Sequence, residues 1–391
     1  MSHRILLYSH DSVGLGHVTR NLEIAHALAG GLPELTGRPV TGLLVTGQAS
    51  ATERAMPVGW DWLVLPAVSR TGDGYAPRHL RTGLDELTSM RSGLIGAAIA
   101  ELGPDLLVID RHALGVEREL EPALTRLRAQ HPHCRVVLGL REVLDSPDVV
   151  AREWERIGGV GTVRRHVDEI WVYGDPQVHD PVATGEVPAG LAHLVRHTGY
   201  LSHGRHGGLL DGSSERPADP FLLTVLGGGS DGAELAQLAA RAAVPAGHEH
   251  LLVTGPQMSQ EDRVRVQACA TPRTRVVEAV PDAARLVREA AAVVSMGGYN
   301  TVCELLATST PSLVVPRVRR RHEQLIRARS LADRGLVDLL HPETATSHAI
   351  STWWSRVTGH HVERGDIDLD GLARVPRLAA DTLVEESSHA I

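Results

Sequence analysis

Short apolar runs alternate with helix-period segments along the whole chain. In the first half, RILLYS, VTGLLVTG, DWLVLP, DLLVID, RVVLGLRE and EIWVYGD read as strands. They are rich in Leu, Val and Ile with little alternation, the pattern of strands covered on both faces. Between them, NLEIAHALAGG places Leu22, Ala25 and Leu28 on one helical face, with Gly30 and Gly31 predicted to stop the helix. ERELEPALTRLRAQH and SPDVVAREWERIGG predict two further helices, the second with Ser146 as cap and Pro147 in its first turn. Strands joined by helices at this spacing imply parallel βαβ units with right-handed crossovers.

Near residue 200 the periodicity lapses. SHGRHGGLLDGSSERPADP is rich in Gly, Ser, Asp and Pro and reads as an interdomain linker. The alternation then restarts with FLLTVL, HLLVTG, RVVEAV, AAVVSM and SLVVP as strands, and GLARVPRLAADTLVEES is expected to be helical apart from Pro376. A chain of 391 residues is long for one compact core. The pattern predicts an N-terminal domain over 1–202, a linker over 203–219 and a C-terminal domain over 220–391, with a last helix that can return to the N-terminal domain.

Composition narrows the function classes. The net charge of −8 argues against nonspecific nucleic-acid binding, and aromatics at 3% leave little for base stacking. Three well-separated cysteines, Cys134, Cys269 and Cys303, make neither a disulfide framework nor a CxxC site and suggest a reducing cytosol. The start, MSHRILLYSHD, turns polar too early for a secretory signal, and the chain contains no apolar run of spanning length. All 39 basic residues are arginine, so a Walker-type lysine and a Schiff-base lysine are both excluded. The histidine pairs HPHC, HGRHGG, GHEH and GHH lack a helical His-x-x-x-His spacing with an acid, so no metal site is predicted.

Three strand-to-helix junctions are rich in glycine: GLGH (14–17), GGGSDG (227–232) and GG (297–298). Glycine there either makes a tight turn or lets the backbone approach a ligand, and the following helix N-termini attract anions. Neither GGGSDG nor GLGH fits GxGxxG, so a dinucleotide fingerprint is weak. Glu304 falls early on the helix after the third junction, where a carboxylate either reaches a ribose diol or is simply solvated. Arg317, Arg319, Arg320 and Arg321 follow the next strand, as phosphate partners or as a solvated charged loop.

SMGGYNTVCELLATSTPSLVVPR and HEQLIRARSLADRG resemble the donor-binding domain of the family twenty-eight glycosyltransferases, whose best-known member adds N-acetylglucosamine to lipid I. GLGHVTRNLEIAHAL and GGGSDGAE resemble the family's glycine loops, and DLLVIDRHALGVERELEPAL, VLGLREVLDSP and VRHTGYL resemble a subgroup of predicted glycosyltransferases. The resemblance implies the α/β GT-B architecture, two Rossmann-like parallel-sheet domains facing across a cleft. The C-terminal domain would hold a nucleotide-diphosphate sugar such as a UDP- or TDP-sugar, and the N-terminal domain the acceptor. The donor-binding set is then Gly16, Gly228, Gly229, Ser230, Gly297, Gly298, Asn300, Thr301, Glu304, Arg317, Glu323 and Gln324. Glu323 and Gln324 stand where the peptidoglycan enzyme has two glutamines facing the sugar.

By the same resemblance His17 points toward the acceptor and is the candidate general base, its ordinary pKa suiting the task. Asp110 ends the strand DLLVID and is its candidate orienting partner, or else a loop acid. The expected activity is that of an inverting, metal-independent glycosyltransferase acting without a cofactor on a small-molecule acceptor in the cytoplasm. The expected oligomeric state is monomer or homodimer. The alternatives are a nucleotide-sugar hydrolase or epimerase on the same fold and a non-catalytic nucleotide-sugar binder. A lysine-free, Arg- and Ala-rich chain suggests a high-GC bacterial gene, and by association a role in secondary metabolism.

Overall fold

The computed structural model of the chain describes residues 2–10, 14–71, 74–206, 217, 220–319 and 321–384. Two compact units result. Unit 1 comprises Met1–Pro176, Asp180–His206 and Asp370–Ile391; unit 2 comprises Gln177–His179 and Gly207–Leu369. Most of the expected linker (207–216, 218 and 219) and Arg320 of the basic cluster lie outside the described residues.

Unit 1 is built on β1 (His3–Tyr8), β2 (Val40–Thr46), β3 (Trp60–Val64), a small hairpin β4 (Val68–Thr71) and β5 (Gly74–Pro77), β6 (Leu106–Asp110), β7 (Arg135–Arg141), β8 (Glu169–Tyr173) and β9 (Val195–His197). Seven of these form one sheet in the order β3-β2-β1-β6-β7-β8-β9, parallel throughout. The helices are α1 (Gly16–Thr36), α2 (Leu84–Leu102), α3 (Glu121–Gln130), α4 (Pro147–Arg156) and α5 (Gly159–His166). The central strands β6 and β8 bury nearly every side chain, as their unbroken apolar runs predict. A core that includes Leu6, Leu107, Ile109, Leu124, Leu138 and Ile170 joins one face of the sheet to the helices.

Unit 2 repeats the plan with β10 (Phe221–Val225), β11 (Glu249–Val253), β12 (Thr274–Val277), β13 (Ala292–Ser295), β14 (Ser312–Val314) and β15 (Asp338–Leu339), in the order β12-β11-β10-β13-β14-β15, again parallel. Its helices are α6 (Ala233–Arg241), α7 (Gln260–Cys269), α8 (Ala283–Glu289), α9 (Tyr299–Leu306), α10 (Glu323–Ala332) and α11 (Ser347–Val357). Separate cores cover its two faces. In each sheet the strand order reverses once, at β1/β6 and at β10/β13, and such a reversal leaves a crevice at the carboxyl ends of the strands.

The helix α12 (Gly371–Val384) belongs to unit 1 and packs along α1. This contact changes two sequence expectations. Helix α1 does not stop at Gly30 and Gly31; it continues through Pro33 to Gly37, whose φ of 68° makes the left-handed cap. Gly31 is there for closeness, since a Cβ on it would lie 2.8 Å from Pro376 Cγ of α12. Likewise α12 runs through Pro376 rather than breaking on it. Packing between the two helices outweighs the propensity cost of both residues. Ser146 precedes α4 as expected but makes no side-chain cap bond.

Candidate active site

At the β1/β6 reversal of unit 1, β6 ends on Asp110 and α1 begins with Gly16 and His17. Asn21 fixes the start of α1 to the end of β1 by donating from Nδ2 to the Tyr8 carbonyl (3.1 Å) and to Ser9 Oγ (2.9 Å). His17 and Asp110, separated by 93 residues, then meet through a hydrogen bond between His17 Nδ1 and Asp110 Oδ2. Arg20, one turn along α1, donates to the other oxygen, Oδ1, from Nη2 (2.5 Å) and Nε (3.2 Å). Asp110 is fully buried, whereas 22% of the His17 side chain is exposed.

Burial alone would raise the Asp110 pKa, but the Arg20 guanidinium and His17 outweigh it and hold the carboxyl far below its ordinary range. An ionised carboxylate only accepts, so Nδ1 of His17 must carry the hydrogen, and the tautomer follows. Arg20 Nη2, 3.2 Å from that same nitrogen, is then a close neighbour rather than a donor to it. Burial lowers the His17 pKa; Asp110 pulls it up, and Arg20 and Arg141 push it down again. The net lowering leaves a neutral imidazole at neutral pH, with its second nitrogen, Nε2, as the basic lone pair.

Around this dyad stand His10, with Nε2 3.0 Å from the Tyr75 hydroxyl, and His112, whose ring centroid is 4.2 Å from that of His10. The loop after β6 is shaped by Arg111, Glu117 and Arg118, all at positive φ. It is braced by a buried Arg91–Glu119 pair (2.6 and 2.7 Å), to which Tyr8 also donates (2.5 Å). Removing either partner of such a pair strands a charge.

Unit 2 brings its glycine junctions together at the β10/β13 reversal. Gly229 has φ 88°, and a Cβ there would fall 2.1 Å from the Thr254 carbonyl; Gly297 has φ 73°, and a Cβ would fall 2.6 Å from Val314 Cγ1. Both positions exclude side chains by contact as well as by conformation. Gly228 and Ser230 are exposed beside Gly229. Gly298 caps α9 with open space in front of it, and the first turn of α9 carries no acid. The first turn of α6 does carry one, Glu234, so the α9 terminus is the better anion seat of the two. Asn300, Thr301 and Glu304 share the half-buried face of α9, at helical spacing.

Arg317 links the remaining pieces. It donates to Asp231 Oδ2 (2.6 Å) and to Glu323 Oε1 (2.7 Å), and its backbone N–H donates to Gln324 Oε1 (2.9 Å). Arg327 of α10 donates to the Gly297 carbonyl (3.3 Å) and lies over the Tyr299 ring. Of the basic cluster, Arg319 is an exposed side chain near Glu234. Eleven of the twelve expected donor residues are therefore in unit 2, and Gly16 stands with His17 in unit 1. Among the described residues, no group of three or more His, Cys, Asp or Glu side chains is placed to hold a metal ion.

Several site residues escaped the sequence reading. Arg20 was signalled by polar residues at helical spacing, His17, Arg20 and Asn21, on a helix whose buried side is otherwise apolar except for Glu23. Asp231 sat inside the quoted GGGSDG junction. Tyr75 and Gln257, whose backbone donates to the Gly228 carbonyl (2.8 Å), had no local signal.

Residues 222–352 match the model of the glycosyltransferase family 28 C-terminal domain. The chain is similar over its full length to three solved glycosyltransferase structures. The glycotransferase of kitacinnamycin is 18% identical with TM-score 0.59, covering 99% of this chain and 98% of that one. MurG of Acinetobacter baumannii is 14% identical with TM-score 0.58, covering 97% and 100%. The glycosyltransferase VinC, solved in complex with dTDP, is 15% identical with TM-score 0.54, covering 99% and 98%. No curated protein matches the sequence. The two Rossmann-like sheets and these likenesses define the GT-B fold. Within that fold, the family 28 C-terminal domain match lies wholly in unit 2. None of its described helices is long and apolar enough to cross a membrane.

Proposed function

We propose that this chain is an inverting glycosyltransferase that moves a sugar from a nucleotide-diphosphate sugar to a hydroxyl of a small-molecule acceptor, with His17 as general base. The observation that carries this reading is the arrangement of Asp110 between His17 and Arg20. One carboxylate oxygen is taken by the arginine, and the other holds the imidazole in the tautomer that leaves Nε2 basic. The acceptor hydroxyl gives its proton to Nε2 as its oxygen attacks the anomeric carbon. The bond from that carbon to the diphosphate oxygen breaks, and the configuration inverts. Asp110 stabilises the imidazolium that forms.

Unit 2 is read as the donor half. Gly228, Gly229, Ser230, Gly297 and Gly298 offer backbone at close approach, and the α9 amides take the diphosphate together with Arg317. Asn300, Thr301 and Glu304 take the ribose, and Glu323 and Gln324 the sugar. Helix amides and arginine suffice for the leaving diphosphate in this scheme, so neither a metal nor a cofactor is assigned. VinC is a nucleotide-bound neighbour and kitacinnamycin a natural product, so a TDP- or UDP-sugar and a role in natural-product biosynthesis are the assignments we favour. The cysteines, which form no disulfide, fit a reducing cytoplasm.

The test is a thermal-shift series with UDP, TDP, GDP and their sugars, followed by nucleotide release in wild type and His17→Ala. A selective rise in Tm identifies the base, since a ligand bound only by the folded state stabilises it. Analysing both glycoside and free sugar separates transfer from hydrolysis, and recovery of an isomerised nucleotide sugar identifies an epimerase. Full transfer by His17→Ala removes the proposed base.

A further inference from the structure

The proposed chemistry uses one of three imidazoles gathered at the β1/β6 reversal. His10, two residues beyond β1, is 4% exposed. Its ring stands edge-on to His17, with centroids 5.7 Å apart, and its Nε2 meets the Tyr75 hydroxyl at 3.0 Å. Tyr75 comes from the β4–β5 hairpin, which joins neither main sheet. The hairpin thus delivers a hydroxyl to the carboxyl edge where the proposed base lies. Burial first, then the charges of His17, Arg111 and Arg91 against the pull of Asp110, keeps His10 neutral. Its Nδ1 is buried without a hydrogen-bond partner among the described residues.

Burying an imidazole costs desolvation that an apolar side chain of similar size would avoid. What the imidazole supplies and an apolar residue would not is a directed hold on the Tyr75 hydroxyl. We propose that Tyr75, oriented by His10, is a specificity-determining residue that hydrogen-bonds a second hydroxyl of the acceptor while His17 takes the proton from the first. The acceptor class is accordingly a diol or polyol, of which ethylene glycol is the smallest member. His10 is a positioning residue that acts through Tyr75. This inference rests on the reading of His17 as general base.

The experiment compares two probe acceptors of the same carbon skeleton, ethanol and ethylene glycol, by the rate of glycoside formation from UDP-glucose and TDP-glucose on the full chain. Wild type is expected to use ethylene glycol about fivefold more efficiently than ethanol, the selectivity of one neutral hydrogen bond of roughly 1 kcal/mol, with the advantage in KM rather than kcat. In Tyr75→Phe the ratio of the two efficiencies falls to about one. His10→Leu does the same, while His10→Gln, whose terminal amide can take the place of Nε2, keeps the preference. Tyr75→Phe removes a single oxygen, so it still decides if His10→Leu fails to fold. Equal use of the two alcohols by wild type, or a preference that survives in Tyr75→Phe, overturns the proposal. If instead His17→Ala forms glycoside as fast as wild type, the general-base reading falls and takes this inference with it.

Discussion

The two units share one fold and furnish its functional edge with opposite materials. At the β1/β6 reversal of unit 1 the edge is made of side chains: His17, Asp110 and Arg20 in a charged network, with His10, His112 and Tyr75 beside it. At the β10/β13 reversal of unit 2 it is made largely of backbone. Gly229 and Gly297 tolerate no Cβ, and the N-terminus of α9 stands open. Proton transfer needs a titratable group held in one tautomer, which only side chains provide. A diphosphate needs amides and close approach, which glycine provides by having no side chain. The halves should therefore fail differently: unit 1 when chemistry is removed without changing shape, unit 2 when a methyl group is added without changing chemistry.

His17→Ala should have the largest effect. Turnover should fall by about 10²–10⁴-fold, while nucleotide affinity by calorimetry stays near wild type. A loss of donor affinity in this variant would mean that unit 1 serves donor binding too. Asp110→Asn comes next. It leaves Arg20 buried beside a neutral partner and should cost about 3–5 kcal/mol of stability in chemical denaturation, as breaking a buried pair does. Turnover should also drop, by less than in His17→Ala. In unit 2, Gly229→Ala should lower stability by about 1–3 kcal/mol through its forced φ and the clash with the Thr254 carbonyl. Its nucleotide affinity should fall as well, whereas Gly298→Ala, with open space at Cβ, should fold normally.

Glu304→Ala is a smaller perturbation. Nucleoside diphosphate binding should weaken by about 1–3 kcal/mol, the scale of hydrogen bonds to a charged acceptor, and pyrophosphate binding should not change. Unaltered nucleotide affinity would take Glu304 out of the site. The least effect is in pH dependence. His17 titrates below 6.5 in the folded chain, so the acidic limb of the rate profile should lie below that pH. Because Asp110 raises this pKa, Asp110→Asn should move the limb to still lower pH. The stability sign is the reverse of a paired histidine's. The unfolded chain takes up the proton first, so the His17 contribution becomes unfavourable as pH falls below 6.5, and His17→Ala should flatten that part of the stability curve.

The strands of both sheets except the edge strands β9 and β15 were readable, because buried parallel strands are nearly unbroken apolar runs, whereas VRH and DL are short and half-exposed. The hairpin β4–β5 was not: VSRT and GYAP are short, half-exposed and without periodicity. Helix α1 was found, but its end was misplaced by six residues or more, because glycine and proline lower helix propensity locally while the partner that compensates, α12, lies more than 300 residues away. His17 and the glycines of unit 2 were visible as residue types at strand-to-helix junctions. Composition showed Arg317 only as a member of a basic run, and the resemblance alone set it apart from Arg319; in the fold the carboxylates of Asp231 and Glu323 make the difference.

Sequence alone determined the alternation of strands and helices, the positions of the glycine junctions and the absence of lysine, since each is set by residues close together along the chain. Whether His17 meets Asp110, which carboxylate oxygen is left for it, and how its pKa moves were decided only by tertiary structure. The partners are 93 residues apart, and Arg20 competes for the same carboxylate. Parallel sheets place the ends of distant strands side by side, so the chemistry of such an edge is written in residues that sequence order keeps apart.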